Sequence, residues 1–387
     1  MIKFLRKYSG IIIIITFLSF ALTIPAYYFG SRFYGSPSRT ARKTGPEQLS
    51  QIARVNGEPE SVIRFLWLTN QLIKMQTKFG QPVGQSALLQ TQYGILNDLI
   101  DFTLIQQEAR RNKIVLEKNE LEKNLENLKL SRNFKNNQQL DLFLKREKGI
   151  SLRDYKQLLK EELIGKKLAE SVRNSVTRNK NETEAAYARR QFASLDQLVR
   201  KLKTEAKIEI LYPHLLAFDY IAQKKYDEAI KVYQNIIKTN PADIYGHLFL
   251  GQIYLEQNKN ELALGEIKQA AQLNETSSEW RDPEVYVILS QAYLKNNKKQ
   301  EAKTELDKAS LIAGDNLSGH QALYLAYTQL GAKAEAEQQK QEILRIREKM
   351  IAILKAYQDR EATLTRVKGL SNNTSAAASA ENNSTSK

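Results

Sequence analysis

Residues 216–241 read LAFDYIAQKKYDEAIKVYQNIIKTNP, and three related stretches follow this one along the chain. In each stretch an alanine stands nine residues after a tyrosine, and the four alanines lie 34, 39 and 34 residues apart. A period of this length predicts two-helix units that stack, because one unit alone cannot bury its apolar face. The tyrosines are Tyr220, Tyr254, Tyr293 and Tyr327, and the alanines are Ala229, Ala263, Ala302 and Ala336.

The pattern resembles the tetratricopeptide repeat, in which a small residue lets two helices approach and the tyrosine fills the space between neighbours. A leucine followed by a small residue precedes three of the tyrosines, as in Leu250-Gly251. We therefore expect an α-solenoid of about four repeats over residues 211–345. The fourth repeat departs from the pattern at Tyr324 and Lys340, which suits a cap, and the longest interval holds an insertion around residues 276–280.

The resemblance implies that the first helix of each repeat lines a concave groove, which usually binds a peptide or another protein. The lysine and asparagine of a carboxylate clamp are absent from these positions, so the groove should prefer apolar or uncharged segments. The alternative is an array that only spaces or dimerises the rest of the chain. The expected groove residues are His214, Phe218, Leu248, Gln252, Val287, Gln291 and Leu325.

Two segments follow the repeats. Residues 346–369 continue as an amphipathic capping helix, for which a coiled-coil contact is a further option. Residues 370–387 have no large apolar side chain after position 370 and should form a disordered tail, because they cannot bury enough surface to offset the entropy of ordering.

The other end of the chain carries 24 consecutive uncharged residues between Lys7 and Arg32. About 20 such residues cross the hydrocarbon core of a bilayer as a helix, so we expect a transmembrane anchor over residues 10–30. Residues 1–9 would then be a basic cytoplasmic segment and residues 31–50 a linker. A cleaved signal peptide stays as the alternative, because a basic start also suits one. Positive charges flank both ends of the span and do not decide its orientation.

The segment after the linker begins with a short β-type run at residues 52–55. The pair Asn56-Gly57 then favours a tight turn, and Pro59 stands where a helix can begin. Apolar residues at helical spacing predict five helices between residues 62 and 172, and one more before a second short run, Ile208–Ile210. Gly149 should end the fourth of these helices, and Ser151 should cap the start of the fifth. We expect the two short runs to pair as a small two-strand element.

Four pieces of this segment carry a resemblance to a known family. They are Val55-Asn56-Gly57-Glu58-Pro59, Leu99-Ile100-Asp101 with Gln107-Glu108-Ala109-Arg110, Asn112-Lys113-Ile114-Val115, and the run from Gly149 to Leu168. Their order and spacing resemble the N-terminal chaperone domain of the SurA, PpiD and PrsA class of extracytoplasmic folding factors, which we place at residues 51–210. A parvulin prolyl isomerase module usually follows in that class. Here residues 176–210 contain no histidine, so isomerase activity should be absent.

The resemblance implies that this domain binds unfolded chains. The physical basis would be an exposed apolar cradle between helices that can repack on many clients. The candidate lining residues are Phe65, Trp67, Met75 and Tyr93. The plainer alternative is that each of them is an ordinary core residue at helical spacing.

Composition leaves little room for catalysis. Lys and Arg number 58 against 43 Asp and Glu, a net charge of +15, but no nucleic-acid-binding motif accompanies it and no nucleic acid partner is expected. The chain has no cysteine, only three histidines, no Gly-rich phosphate loop, no His-Glu-x-x-His and no nucleophile elbow. We therefore expect no enzyme, no cofactor and no metal site.

These features together predict a mainly all-α protein of the inner (cytoplasmic) membrane, with one span, the N-terminus inside and the bulk on the periplasmic side. The orientation rests on the resemblance. The protein would act as an ATP-independent chaperone, a holdase that binds newly translocated unfolded proteins and uses its repeats for protein contacts. The secretion channel or another envelope protein is a further expected partner of the repeats. The alternative is a scaffold whose repeats recruit one dedicated envelope complex.

Overall fold

The computed structural model of the chain describes residues 50–78, 84–277, 281–356 and 359. The expected cytoplasmic segment, membrane anchor, linker (apart from its last residue) and disordered tail lie outside these residues. Within the described ranges, no helix is both long and apolar enough to cross a membrane. The contacts divide the chain into two compact units. The first contains the residues up to Leu66 together with Gly94–Tyr212. The second contains Trp67–Tyr93 together with the residues from Pro213 onward.

A three-stranded antiparallel sheet closes the first unit. Its strands are β1 (Gln51–Val55), β2 (Glu58–Ser61) and β3 (Ile208–Ile210), in the order β2-β1-β3. The turn between β1 and β2 is left-handed at both central residues, with φ of 52° at Asn56 and 84° at Gly57. Such a turn matches the twist of two paired strands, and Asn-Gly is the pair that tolerates it best.

The sheet confirms one expectation and corrects another. β3 pairs with β1 as predicted, with Val55 opposite Ile208 and Ala53 opposite Ile210. The expected two-strand element is wrong, because the sheet has a third strand. Directly after the turn the chain forms β2, which pairs with β1. Pro59 does not begin a helix but lies in β2 opposite Arg54. β2 is an edge strand, where a residue without an N–H group is tolerated.

Six helices complete the sequence of the segment between β2 and β3. Gly149, with φ of 68°, ends the fourth of them, and Ser151 begins the fifth with a capping box formed with Asp154. Both signals are local, and both fall where the sequence predicts them. The helices are α1 (Val62–Lys78), α2 (Gln85–Arg111), α3 (Glu120–Ser131), α4 (Asn137–Lys148), α5 (Leu152–Asn174) and α6 (Glu184–Glu205).

Polar side chains hold the part of α2 that belongs to the first unit, residues 94–111. Gln107 donates to the carbonyl of Val55 at 2.9 Å and accepts from Asn56 at 2.7 Å, so two pieces that carry the family resemblance meet. At the other side of α2, Lys203 pairs with Asp101 at 2.6 Å. Burial, followed by repulsion from Asp101, raises the pKa of the nearby Asp98 to about 7.

Four helical hairpins follow in the second unit, at the spacing that the sequence predicts. Their helices pair in chain order, and the eighth helix runs over residues 333–356. The helices are α7 (Pro213–Ala222) with α8 (Tyr226–Thr239), α9 (Ile244–Glu256) with α10 (Asn260–Thr276), α11 (Pro283–Lys295) with α12 (Lys299–Ile312), and α13 (Leu317–Leu330) with α14 (333–356).

Each hairpin turns in the same way. One residue adopts a left-handed backbone, and the next residue donates its N–H to the carbonyl of the repeat's tyrosine at 2.8–2.9 Å. This bond satisfies a carbonyl that the end of the first helix would otherwise leave unpaired. The left-handed residues are Lys224, Asn258, Asn297 and Gly331.

The small residues of the repeats lie where two helices come closest. The alanines at positions 229, 263, 302 and 336 are buried, as the repeat pattern predicts. Gly251 of α9 is the tightest point, since a Cβ added there would lie 3.0 Å from Cδ1 of Ile267 and 3.1 Å from the carbonyl oxygen of Ala263. A side chain at this position would force α9 and α10 apart.

Candidate protein-binding groove

The residues expected to line a client cradle do not form one group. Phe65 is fully buried in the first unit, while Trp67 and Tyr93 are half-buried and belong to the second. The side chain of Met75 lies outside what the structure describes. A role of these residues in client binding stays a prediction.

The expected groove residues differ in their exposure to solvent. His214, Leu248 and Val287 are buried, so they pack inside the array and offer a partner almost no surface. Phe218 and Gln252 are half-buried, Gln291 is exposed, and the side chain of Leu325 is 66% exposed. A contact between any of them and a partner stays a prediction.

The three histidines serve as packing groups. His247 places Nδ1 2.7 Å from a carboxylate oxygen of Glu266 and Nε2 3.2 Å from the carbonyl of Pro241, so its protonated form satisfies both acceptors. The hydrogen bond to Glu266 raises the pKa of His247. His320 repeats this arrangement two hairpins later, and no cluster of ligands able to hold a metal occurs in the part of the chain that the structure describes.

The first helices of the repeats already hold a segment of this chain. The start of α2 belongs to the same compact unit as the repeats. Tyr93 stacks on Phe218 of α7 with 6.0 Å between ring centroids, and its hydroxyl donates to Asp219 at 3.1 Å. Phe218 in turn packs edge-on against Phe249 of α9, with centroids 4.9 Å apart. One expected groove residue, Phe218, is therefore in contact with the chain's own helix.

A second set of contacts lies at the beginning of α11. The side chain of Asp282 accepts from the backbone N–H of Ser86 at 3.3 Å and from that of Glu284 at 3.0 Å. One carboxylate thereby caps the N-termini of both α2 and α11. Tyr245 of α9 also donates its hydroxyl to Asp282, at 3.3 Å. The hydroxyl of Ser86 donates to the carboxylate of Glu284.

This end of the groove is acidic and largely buried. Asp282 is 1% exposed, and burial raises the pKa of both Asp282 and Glu284. The positive end of the α2 dipole points at these carboxylates, which offsets part of the cost of burying them. The described contacts of residues 84–93 are therefore with one aromatic ring and one carboxylate on α7 of the first repeat, and with two carboxylates at the start of α11 in the third. We use the name inner groove for Phe218, Asp219, Tyr245, Asp282 and Glu284.

Sequence reasoning missed the acidic part of this site. Neither Asp282 nor Glu284 was among the expected site residues. One signal was present in the sequence: Gly84 precedes α2 and has no side chain that could cap it. A helix that lacks its own cap needs a partner for its first N–H groups, and that partner can come from elsewhere in the fold.

Comparison with known families assigns both parts of the chain. Residues 1–169 match the family model described as SurA-like N-terminal domain. Residues 220–282 and 283–316 match two tetratricopeptide repeat models. The chain is a fusion of a SurA-like N-terminal domain with tetratricopeptide repeats. Both are protein-interaction domains without a catalytic centre of their own, which fits a chaperone-like protein or a protein-interaction scaffold.

Solved structures resemble part of this chain at low similarity. A crystal structure of MamA is 20% identical and covers 39% of this chain and 96% of its own, with a TM-score of 0.28. A fragment of MamA from Desulfovibrio magneticus RS-1, from residue 41 to its end, is 15% identical and covers 48% and 95%, also with a TM-score of 0.28. At these TM-scores the likeness carries no argument about this chain. Comparison with curated protein sequences finds no match.

Proposed function

We propose that this chain is an ATP-independent holdase that binds newly translocated, unfolded proteins and uses its tetratricopeptide repeats for protein contacts. The observation that carries the proposal is the direct fusion of a SurA-like domain to the repeats. Between α5 and β3 the described chain holds one helix, α6, so the isomerase module usual in this class has no place before the sheet closes. What remains are two domains that bind polypeptides.

The proposal includes an inner-membrane anchor at residues 10–30, with the SurA-like domain and the repeats on the periplasmic side. The uncharged run in the sequence supports an anchor, and the resemblance to extracytoplasmic folding factors supports the orientation. Tethering would raise the effective concentration of the binding surfaces near emerging chains. The secretion channel or another envelope protein would then be within reach of the repeats.

One observation favours a scaffold as the second candidate. The inner groove makes directional hydrogen bonds to residues 84–93, through Asp219, Asp282 and Glu284. Directional polar contacts select one ligand, whereas a surface for many unfolded chains is usually apolar and adaptable. A scaffold would bind one folded partner tightly and would not suppress aggregation.

The test uses the fragment from Arg42 to the C-terminus and a chemically unfolded secreted protein, followed by light scattering without nucleotide. A holdase suppresses aggregation near equimolar ratio for unrelated clients, and added ATP changes nothing. No suppression at a severalfold excess of fragment would contradict the proposal.

Two exposed leucines provide a matched pair for locating the effect. Leu325 lies on the first helix of the fourth repeat and is 66% exposed, while Leu262 lies on the second helix of the second repeat and is 57% exposed. If the groove side of the repeats contributes to holding clients, Leu325→Glu weakens suppression and Leu262→Glu does not. Equal effects would show that the groove side has no special part in it.

A further inference from the structure

The start of α2 depends on the repeats for its cap. Gly84 is buried and lies so close to Asp282 that an added Cβ would be 3.2 Å from a carboxylate oxygen. Asp282 takes the position of the missing side-chain cap by accepting from the N–H of Ser86. The residue that caps this helix is 196 positions away in the sequence. The helix N-terminus therefore occupies the repeats in the way that a bound peptide would, although it belongs to the same chain.

The contacts of this segment fall on one helical face. Ser86 and Tyr93 are seven residues apart, which is close to two turns, so both point towards the same side of α2. Ser86 reaches Glu284 of the third repeat, and Tyr93 reaches Phe218 and Asp219 of the first. Anchors at this spacing are the usual way in which a helix is recognised in a groove.

We propose that the inner groove is a binding site for the N-terminal turns of an uncharged helix, and that residues 84–93 are its built-in ligand. A partner with a small residue before its helix, a serine in the first turn and an aromatic residue two turns later binds there by displacing residues 84–93. Residues 84–93 thereby keep the groove closed until such a partner arrives.

The chemistry of the groove defines what it rejects. Asp219, Asp282 and Glu284 present carboxylates, so an acidic peptide, a free C-terminus or a phosphate would meet like charge in this groove. A large residue in place of Gly84 would collide with Asp282. Like charge excludes acidic ligands, and the uncharged sequence of residues 84–93 indicates that the ligand is a neutral helix that enters with its N-terminus first.

The inference rests on the proposed role of the repeats in protein contacts, and is independent of holdase activity. The test measures the binding of a fluorescent, N-acetylated peptide of residues 84–97 to the full chain in detergent micelles. In the wild-type chain the internal ligand competes, so binding is weak. Gly84→Asp combined with Tyr93→Ala weakens the internal ligand without changing the groove, and the peptide should bind about tenfold more tightly or better.

Matched controls separate release of the ligand from general damage. Gly94→Asp introduces the same charge on the open side of α2, where nothing lies within 4 Å of an added Cβ, and should leave peptide affinity at the wild-type value. A peptide that carries Ala at position 93 should bind the released chain at least about fivefold more weakly, because it loses the aromatic contact. Equal affinity of wild-type and released chains for the peptide would overturn the proposal.

A second experiment does not depend on the folding of the released variant. The chain has no cysteine, so Ser86→Cys with Glu284→Cys introduces only two thiols. A short, reducible bis-thiol cross-linker should join them and abolish the weak peptide binding that this chain otherwise shows, and reduction should restore it. Gly94→Cys with Glu284→Cys should not cross-link. Failure of the first pair to cross-link, or peptide binding that survives the cross-link, would overturn the proposal.

The two proposals fail separately. If the released variant binds the peptide no more tightly than the wild type but aggregation is still suppressed, the proposed internal ligand is wrong and the proposed holdase stands. Peptide binding with no suppression of aggregation would leave the groove site and favour the scaffold.

Discussion

Gly251 provides a sharp quantitative test of the repeat packing. In α9 this residue faces Ile267 of α10, and an added Cβ would lie 3.0 Å from Cδ1 of Ile267, closer still to its Cγ1, and 3.1 Å from the carbonyl oxygen of Ala263. Carbon atoms pack best at about 3.5–4.0 Å, so Gly251→Ala requires the two helices to separate. Ile267 is fully buried and the second contact is backbone, so neither can move cheaply.

Two opposing effects set the magnitude. Alanine is favoured over glycine in a helix interior by about 1 kcal/mol. Overpacking a close-packed core costs about 1–3 kcal/mol, and a collision with backbone belongs to the upper part of that range. We expect Gly251→Ala to lower the free energy of unfolding by about 1–2 kcal/mol, which lowers Tm by about 2–8 °C for a unit of this size.

A second glycine in the same repeat provides the control. Gly265 lies within α10, and nothing is within 4 Å of a Cβ added there. Gly265→Ala should therefore gain the helix propensity without a collision and raise the stability by about 1 kcal/mol. Thermal unfolding followed by circular dichroism compares the two variants under identical conditions. If Gly251→Ala stabilises the chain as Gly265→Ala does, the close approach of α9 and α10 is wrong.

A double-mutant cycle identifies the atom group responsible. Ile267→Ala removes the colliding side chain and by itself costs about 2–4 kcal/mol through the cavity that it leaves. In that background Gly251→Ala should cost about 1 kcal/mol less than in the wild type. Additive effects would show that the cost has another origin.

Three further substitutions test local features of both units. Lys224→Gly should raise the stability by about 1 kcal/mol, because Lys224 has φ of 60° and glycine adopts this conformation without strain; an unchanged Tm would refute this. His247→Gln should destabilise the chain by about 1 kcal/mol at pH 5.5 and less at pH 8.5. The bond to Glu266 raises the pKa of His247, so its contribution is complete below about pH 6.5 and is lost as the pH rises through the folded value. Asp98→Asn should have little effect at pH 4 and stabilise the chain by about 2 kcal/mol at pH 8, a value reduced because Asp98 is partly exposed to solvent. The pKa of Asp98 is raised to about 7, so the stability associated with its protonated form is complete below about pH 4 and is lost as the pH rises from there to about 7. For either residue, a difference from wild type that is the same at both pH values would contradict the assignment.

The parts of the fold that the sequence predicts are those with local or periodic causes. The left-handed pair Asn56-Gly57, the stop at Gly149 and the cap at Ser151 depend on a few neighbouring residues, and all three are present. The repeats are visible because the same contacts recur at a fixed interval. The pairing of β3 with β1 was also predictable, because in the family that the segment resembles a strand after the last helix closes the domain.

The parts that the sequence does not predict depend on contacts between distant residues. Ser86 and Asp282 are 196 positions apart, and no periodic pattern connects them. The assignment of Trp67–Tyr93 to the same compact unit as the repeats follows from such contacts, and differs from the continuous domain expected at residues 51–210. The boundaries of the other expected domains stay predictions.

The exposure of the groove positions was difficult to predict for a different reason. In α9 and α11 almost every residue of the central turns is buried, so these helices have no clear polar face that would mark the groove. Leu248 and Val287 occupy repeat positions that usually line the groove, but both side chains are buried in the core. Only the described contacts of Phe218 and of the acidic residues at the start of α11 locate the inner groove.

The breadth of binding tests the proposed holdase most directly. The measurement is the dissociation constant of the fragment from Arg42 onward for several unrelated secreted proteins, each in its unfolded and its folded form, without nucleotide. A holdase binds the unfolded forms with similar, roughly micromolar constants, which correspond to about −8 kcal/mol, and binds the folded forms at least about tenfold more weakly. Tight binding to one folded protein, with no measurable affinity for the unfolded forms, would contradict the holdase and establish the scaffold.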